Sequence, residues 1–139
     1  LYFMIIKKGT TMKNSMIDAV LLTLIGLEYL GFGLIGLINP NSAATLVGFT
    51  LNELISLSEI RANYSFFVLL GLMSLISLYK KSLQKITYLI VALLCGSYVF
   101  GRIVSIVADG IPDTRTLWMV FAVDLAVFVL SFCRYKDLS

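Results

Sequence analysis

Four stretches of this chain, residues 16–38, 57–79, 86–108 and 117–133, are nearly unbroken runs of apolar residues. A helix rises about 1.5 Å per residue, so roughly 20 mainly apolar residues suffice to cross the hydrocarbon layer of a bilayer. The four runs take up most of the 139 residues, and what remains is too short and too apolar for a water-soluble domain with its own core. Composition points the same way. With 59% hydrophobic residues, 14% charged and a mean hydropathy of +0.95, the chain lies well outside the range of soluble domains. The expectation is an all-α integral membrane protein, a single transmembrane domain over residues 1–139, whose function sits in or at the bilayer.

Leu1, Tyr2 and Phe3 look like the remnant of a protease-site tag, which puts the natural start at Met4 or Met12. The first apolar run is long enough to span and no small-x-small cleavage site follows it, so a cleavable signal peptide is not expected. Lysine and arginine in short loops mark the cytoplasmic side. Lys7, Lys8 and Lys13 precede the first run, Lys80, Lys81 and Lys85 separate the second from the third, and Arg134 and Lys136 follow the fourth. The opposite side holds only Arg115, so both termini are expected in the cytoplasm. Tyr79, Tyr88 and Tyr135 fall near the inner interface and Trp118 near the outer one. The basic residues are dispersed, which reads as a topology signal and not as a nucleic-acid or anionic-lipid patch. Residues 80–85 form a tight hairpin. Residues 39–56 are longer and contain Asn-Pro, an apolar patch at 43–49 placed on the outer interface, and Thr50-Leu-Asn-Glu53, a capping-box pattern that starts the second helix near Leu51. Short connections between antiparallel helices give an up-down four-helix bundle.

Charges remain inside these spans, and each needs a partner, water or a function, because a charge at mid-bilayer costs at least about 2.5–3.5 kcal/mol. They are Glu28, Glu59, Arg61, Arg102, Asp109 and Asp124. Counted along the helices, Arg61 lies about 6 Å below the outer boundary, Arg102 about 9 Å, Asp124 about 10 Å and Glu28 about 15 Å. Asp18, in the inner half, is placed close enough to the cytoplasmic end to reach water. Arg102, Ser105 and Asp109 recur at i, i+3 and i+7, with Tyr98 at i−4, so they form one stripe expected to face the bundle. Arg61, Tyr64 and Ser65 share a face of the second span, while Glu59 and Asn63 lie roughly 160° away, so Glu59 and Arg61 cannot point at the same neighbour and one of the two faces is left to meet headgroups or a second subunit. Asp124 stands on an otherwise apolar face and should point inward to an arginine. Glu28, Asp124, Arg61 and Arg102 sum to zero, which permits complete internal pairing. Tyr29, Tyr64 and Tyr98 add hydroxyls and flat apolar faces, the mix that ligand sites use. Gly26, Gly33 and Gly36 share a face of the first span, with Gly31 nearby, and are expected to admit a close helix neighbour, the alternative being room beside Glu28 for a ligand or water.

The combination Glu59-Ile-Arg61-Ala62-Asn63-Tyr64, Gly101-Arg102-Ile-Val-Ser105 and Asp109-Gly110-Ile-Pro112 resembles a family of small bacterial membrane proteins known as domain of unknown function 4345. The resemblance runs from Pro40 to the fourth span, where Asp124 occupies a position at which the family often has Glu. It implies four helices and the bacterial inner membrane, with no assigned activity. A looser likeness in architecture links the chain to DoxX-type four-helix proteins, some of which are membrane partners of redox enzymes, by fold analogy alone.

Other chemistry drops out. The chain has no histidine, which removes His-ligated haem, a histidine base and the commonest zinc ligand. Cys95 and Cys133 lack metal or disulfide spacing, no phosphate loop or dinucleotide fingerprint occurs, and Ser105 has no base beyond Asp109. No cofactor, metal or catalytic residue is assigned. The candidate ligand-binding or ion-network residues are Glu28, Tyr29, Glu59, Arg61, Tyr64, Tyr98, Arg102, Ser105, Asp109 and Asp124. The leading expectation is a non-enzymatic protein whose outer-half pocket binds a small amphipathic or anionic molecule, a lipid being the simplest. The alternatives are a structural subunit of a membrane complex or homo-oligomer whose charges lock the bundle, and an isomerase-like enzyme using Glu28 or Asp124 as acid or base.

Overall fold

The computed structural model describes residues 2–112 and 115–138, with side chains from residue 14 onward. Four long helices carry the apolar runs: α1 (Tyr2–Ile38), α3 (Leu54–Ser77), α4 (Gln84–Asp109) and α5 (Arg115–Asp137). A short helix, α2 (Pro40–Val47), joins α1 to α3, and a single 3-10 turn (Lys81–Leu83) leads into α4. Residues 14–38 of α1, α3, α4 with its preceding turn, and α5 are each long and apolar enough to cross a membrane. The chain is accordingly a multi-pass membrane protein.

Local chemistry sets the ends of these helices. The residue before a proline avoids the helical region, so α1 stops at Ile38; Asn39, at φ −134°, instead caps α2 by accepting from the Ser42 N–H at 3.3 Å, with Pro40 in its first turn. The segment between α1 and α3 departs from expectation at one point. Most of its apolar patch lies in α2, with Pro40, Ala43 and Ala44 buried against the bundle and Leu46 and, just beyond, Phe49 exposed. The Thr50–Glu53 pattern does not begin the next helix: Glu53 is the extended residue ahead of Leu54 and its side chain makes no capping bond, so α3 starts three residues later than the pattern implies. At the end of α4, Gly110 adopts φ 94° and ψ 177°, a conformation open essentially to glycine alone.

The helices pair through small residues. A Cβ added at Gly33 would meet the Val68 backbone nitrogen at 2.6 Å, and one at Gly71 would meet the Leu30 nitrogen at 2.5 Å. Gly26 faces Leu75, Gly33 faces Val68 and Gly36 lies under the Tyr64 ring, so positions on α3 fall as those on α1 rise and the two helices run in opposite directions. Close approach matters here because lipid tails are as apolar as leucine, and contact between backbones is what holds helices together in a bilayer. The glycines thus serve the α1–α3 contact, the first of the two roles weighed for them. α4 and α5 are likewise antiparallel neighbours, with Gly96 against Phe128 and Arg102 against Asp124.

Between the α1–α3 and α4–α5 pairs lies a core of Leu22, Ile25, Tyr29, Leu70, Tyr88, Val91 and Cys95. Its distribution is one-sided. On α3 burial begins at Leu70, on α4 it ends at Cys95, and on α5 only Ser131 and Arg134 are buried. All of these positions lie toward the end that holds the 3-10 turn. Toward the α2 end the two pairs meet through half-buried side chains, and it is there that the intramembrane charges cluster.

Candidate functional site

Two interior polar clusters occupy opposite ends of the bundle. Near the 3-10 turn, Asp18 of α1 receives two hydrogen bonds from Arg134 of α5, Nε to Oδ1 at 2.7 Å and Nη2 to Oδ2 at 3.0 Å. The Tyr88 hydroxyl of α4 donates a third to Oδ1 at 2.7 Å. Arg134 Nη1 also donates to Asp137 at 3.0 Å. Asp18 and Arg134 are 5% and 7% exposed and Tyr88 is fully buried, so this bidentate pair is out of water and satisfied. It ties three helices together.

This overturns the placement of Asp18 in water, and it turns Tyr88, expected near the inner interface, into the bundle. Their depth, one to two turns inside the spans that begin at Asn14 and Lys81, was legible; the direction they face decides the outcome. Asp18 is in phase with Leu22, Ile25 and Tyr29, and Tyr88 with Val91 and Cys95, the stripes that form the core. Phase was therefore the signal in the sequence that could have found this cluster.

The second cluster lies about 10–16 Å inside the α2 end, counted along each helix. Arg102 Nε of α4 stands 3.7 Å from Asp124 Oδ2 of α5. That distance is an ion pair without a hydrogen bond, and both atoms are buried with no partner among the described residues. Glu28 of α1 is half-buried and within electrostatic range of Asp124, and among the described residues it has neither an ion pair nor a hydrogen bond. Rings line the same level. Phe67 packs against Tyr29, Tyr64 and Tyr98 with centroids 5.4, 5.0 and 6.1 Å away. Tyr29 uses its hydroxyl on the buried Cys95 thiol at 2.8 Å. The hydroxyls of Tyr64 and Tyr98 have no hydrogen-bond partner among the described residues, and both lie within range of the Arg102 charge.

The remaining expected residues lie apart. Arg61 reaches the end of α1, where its guanidinium donates to the carbonyls of Leu37 and, at 3.4 Å, Ile38. A cation there meets the negative end of the helix dipole and its unbonded carbonyls, so Arg61 caps α1 and leaves the carboxylates to Arg102. Ser105 and Asp109 are exposed beyond the half-buried Tyr98 and Arg102, so only part of that stripe turns toward the bundle. Glu59 and Asn63, one turn apart on α3, are both exposed. With Arg61 withdrawn, the cluster holds two carboxylates and one guanidinium. Among the described residues no three acidic or cysteine side chains group as metal ligands, and Cys95 and Cys133 are free thiols.

No curated protein matches the chain, and no solved structure does. A family model described as Domain of unknown function (DUF4345) matches residues 17–134, a stretch that contains both clusters.

Proposed function

Since the chain belongs to the Domain of unknown function (DUF4345) family, whose name assigns no activity, we propose a role read from its own residues: a non-enzymatic membrane protein that binds the polar head of a small amphipathic molecule. The site is the Arg102–Asp124 pair with Glu28 and the hydroxyls of Tyr64 and Tyr98. In this reading the four long helices run up and down across a bacterial inner membrane, with both termini cytoplasmic and the α2 end outward, as the lysines and arginines of the loops dictate.

The observation that carries the proposal is the contrast between the two clusters. Both are built from arginine, carboxylate and tyrosine. One closes on itself with bonds of 2.7–3.0 Å, while the other leaves Arg102 Nε and Asp124 Oδ2 buried and unbonded. Unpaired polar atoms in a low-dielectric interior cost about 1–3 kcal/mol each, a cost relieved by a ligand that bonds them. The test is native mass spectrometry of the protein taken from its membrane into nanodiscs, wild type beside the Arg102→Gln/Asp124→Asn variant. A bound small molecule present in the wild type and lost in a folded variant supports the proposal; identical bound species in both refute it.

A second reading, an assembly subunit, is favoured by Glu59 and Asn63, whose polar groups lie on the outside of α3 where a neighbouring helix would satisfy them. Cross-linking from position 63 in the native membrane tests it, a single partner band being the expected result and lipid adducts alone the opposing one.

A further inference from the structure

Arg102 Nε and Asp124 Oδ2 stand 3.7 Å apart, both buried and both without a hydrogen bond among the described residues. One is a donor and the other an acceptor, so a group that satisfies both must accept on one side and donate on the other. An ammonium head donates but cannot accept from the guanidinium. A sulfate accepts but cannot donate to the carboxylate. A hydroxyl does both, and being neutral it leaves the opposite charges of the pair balanced inside the bilayer. A phosphoethanolamine head also carries a donor and an acceptor, but it brings two hydrated charges to a depth where each is costly.

The pair lies about 10–14 Å inside the α2 end, counted along α4 and α5. Its side chains are 25% and 13% exposed, and at that depth in a bilayer the surroundings are acyl chains. The source of the hydroxyl is therefore an amphiphile dissolved in the lipid, with its chain left among the acyl chains. Packing permits its entry, since burial on α4 ends at Cys95 and on α5 begins at Ser131, so no close-packed layer of these helices covers the pair. Parting the two side chains around an incoming oxygen breaks no hydrogen bond between them and forms two. Asp18 and Arg134, already joined at 2.7 and 3.0 Å, offer no such gain.

We infer that the Arg102–Asp124 pair takes the hydroxyl of a neutral, alcohol-headed amphiphile, whose oxygen accepts from Arg102 Nε and whose proton is donated to Asp124 Oδ2. The inference rests on the binding role proposed above. It is tested with the full chain in phosphatidylcholine nanodiscs, by equilibrium binding of dodecanol, dodecyl methyl ether, dodecylamine, dodecyl sulfate and dodecyl phosphoethanolamine, with empty nanodiscs subtracted. Dodecanol should bind saturably and at least about tenfold more tightly than each of the others, the ether being the closest control because it lacks only the proton. Arg102→Met/Asp124→Leu, which leaves no unpaired charge, should bring alcohol and ether to equal affinity. If that variant does not fold, the alcohol-to-ether ratio of the wild type decides by itself. Equal binding of alcohol and ether, as when water alone bridges the pair, tighter binding of any charged probe, or an alcohol preference that survives in the folded variant overturns the hydroxyl assignment and leaves the binding role standing. Saturable binding of none of the five overturns both.

Discussion

Replacing Asp18 with asparagine separates the two clusters energetically. The substitution keeps the shape of the side chain and removes its charge, leaving the Arg134 guanidinium, whose side chain is 9% exposed, without its buried counter-ion. Breaking a buried pair by removing one partner costs about 3–5 kcal/mol. Two features push the cost to the lower end: the asparagine oxygen still accepts one hydrogen bond, and Asp137 remains 3.0 Å from Arg134 Nη1. The expected loss is therefore about 3 kcal/mol. Asp124→Asn, the same chemical change at the other cluster, should cost less, because Arg102 and Asp124 sit 3.7 Å apart with no hydrogen bond to lose.

Removing the whole inner cluster is the third arm. Asp18→Leu, Tyr88→Phe and Arg134→Met together leave neither an unpaired charge nor an orphaned hydroxyl, and should be less destabilising than Asp18→Asn alone. The assay is reversible unfolding in mixed micelles, following helical circular dichroism against the mole fraction of denaturing detergent. Were Asp18→Asn to cost no more than Asp124→Asn, or the triple variant as much as the single one, the distinction between a closed and an open cluster would be wrong.

Three further outcomes follow from the packing and the chain turns, each read in the same unfolding assay. Gly33→Ala forces a Cβ to within 2.6 Å of the Val68 nitrogen and should cost about 1–3 kcal/mol, whereas Gly31→Ala enters open space and should be neutral or stabilising by up to about 1 kcal/mol. Gly110→Ala should cost about 1–3 kcal/mol at unchanged helix content, because the strain lies in the turn after α4. Arg61→Gln should cost about 1 kcal/mol by weakening the cap on α1, and should leave amphiphile binding unchanged because Arg61 lies outside the Arg102–Asp124 cluster.

The four helices were legible because crossing a bilayer imposes a length and an apolarity that few other structures share, and the glycine face of α1 because lipid rewards close backbone contact. The charged interior was only half legible, for a physical reason. Depth along a helix follows from counting residues, but a partner is fixed by the direction a side chain faces and by which helix lies beside it. Counting placed Arg102 and Asp124 at matching levels on α4 and α5, and they are neighbours. It also placed Arg61 at a level where it would balance a carboxylate, and there the count failed: the carbonyls at the end of α1 are nearer, and no pattern of side chains reports the position of a helix terminus on another element.

That one displacement changes the meaning of the site. With Arg61 included, the interior charges sum to zero and a dry, closed network is the natural reading. With Arg61 on α1, one carboxylate is left over in the low-dielectric half of the bundle where packing is loosest. The end that is tightly packed spends its arginine on a saturated contact among α1, α4 and α5, which fixes how the two helix pairs meet. At the other end Arg102 and Asp124 stand 3.7 Å apart without a hydrogen bond, so the register of the bundle rests on the closed cluster and the proposed site is left open to a ligand.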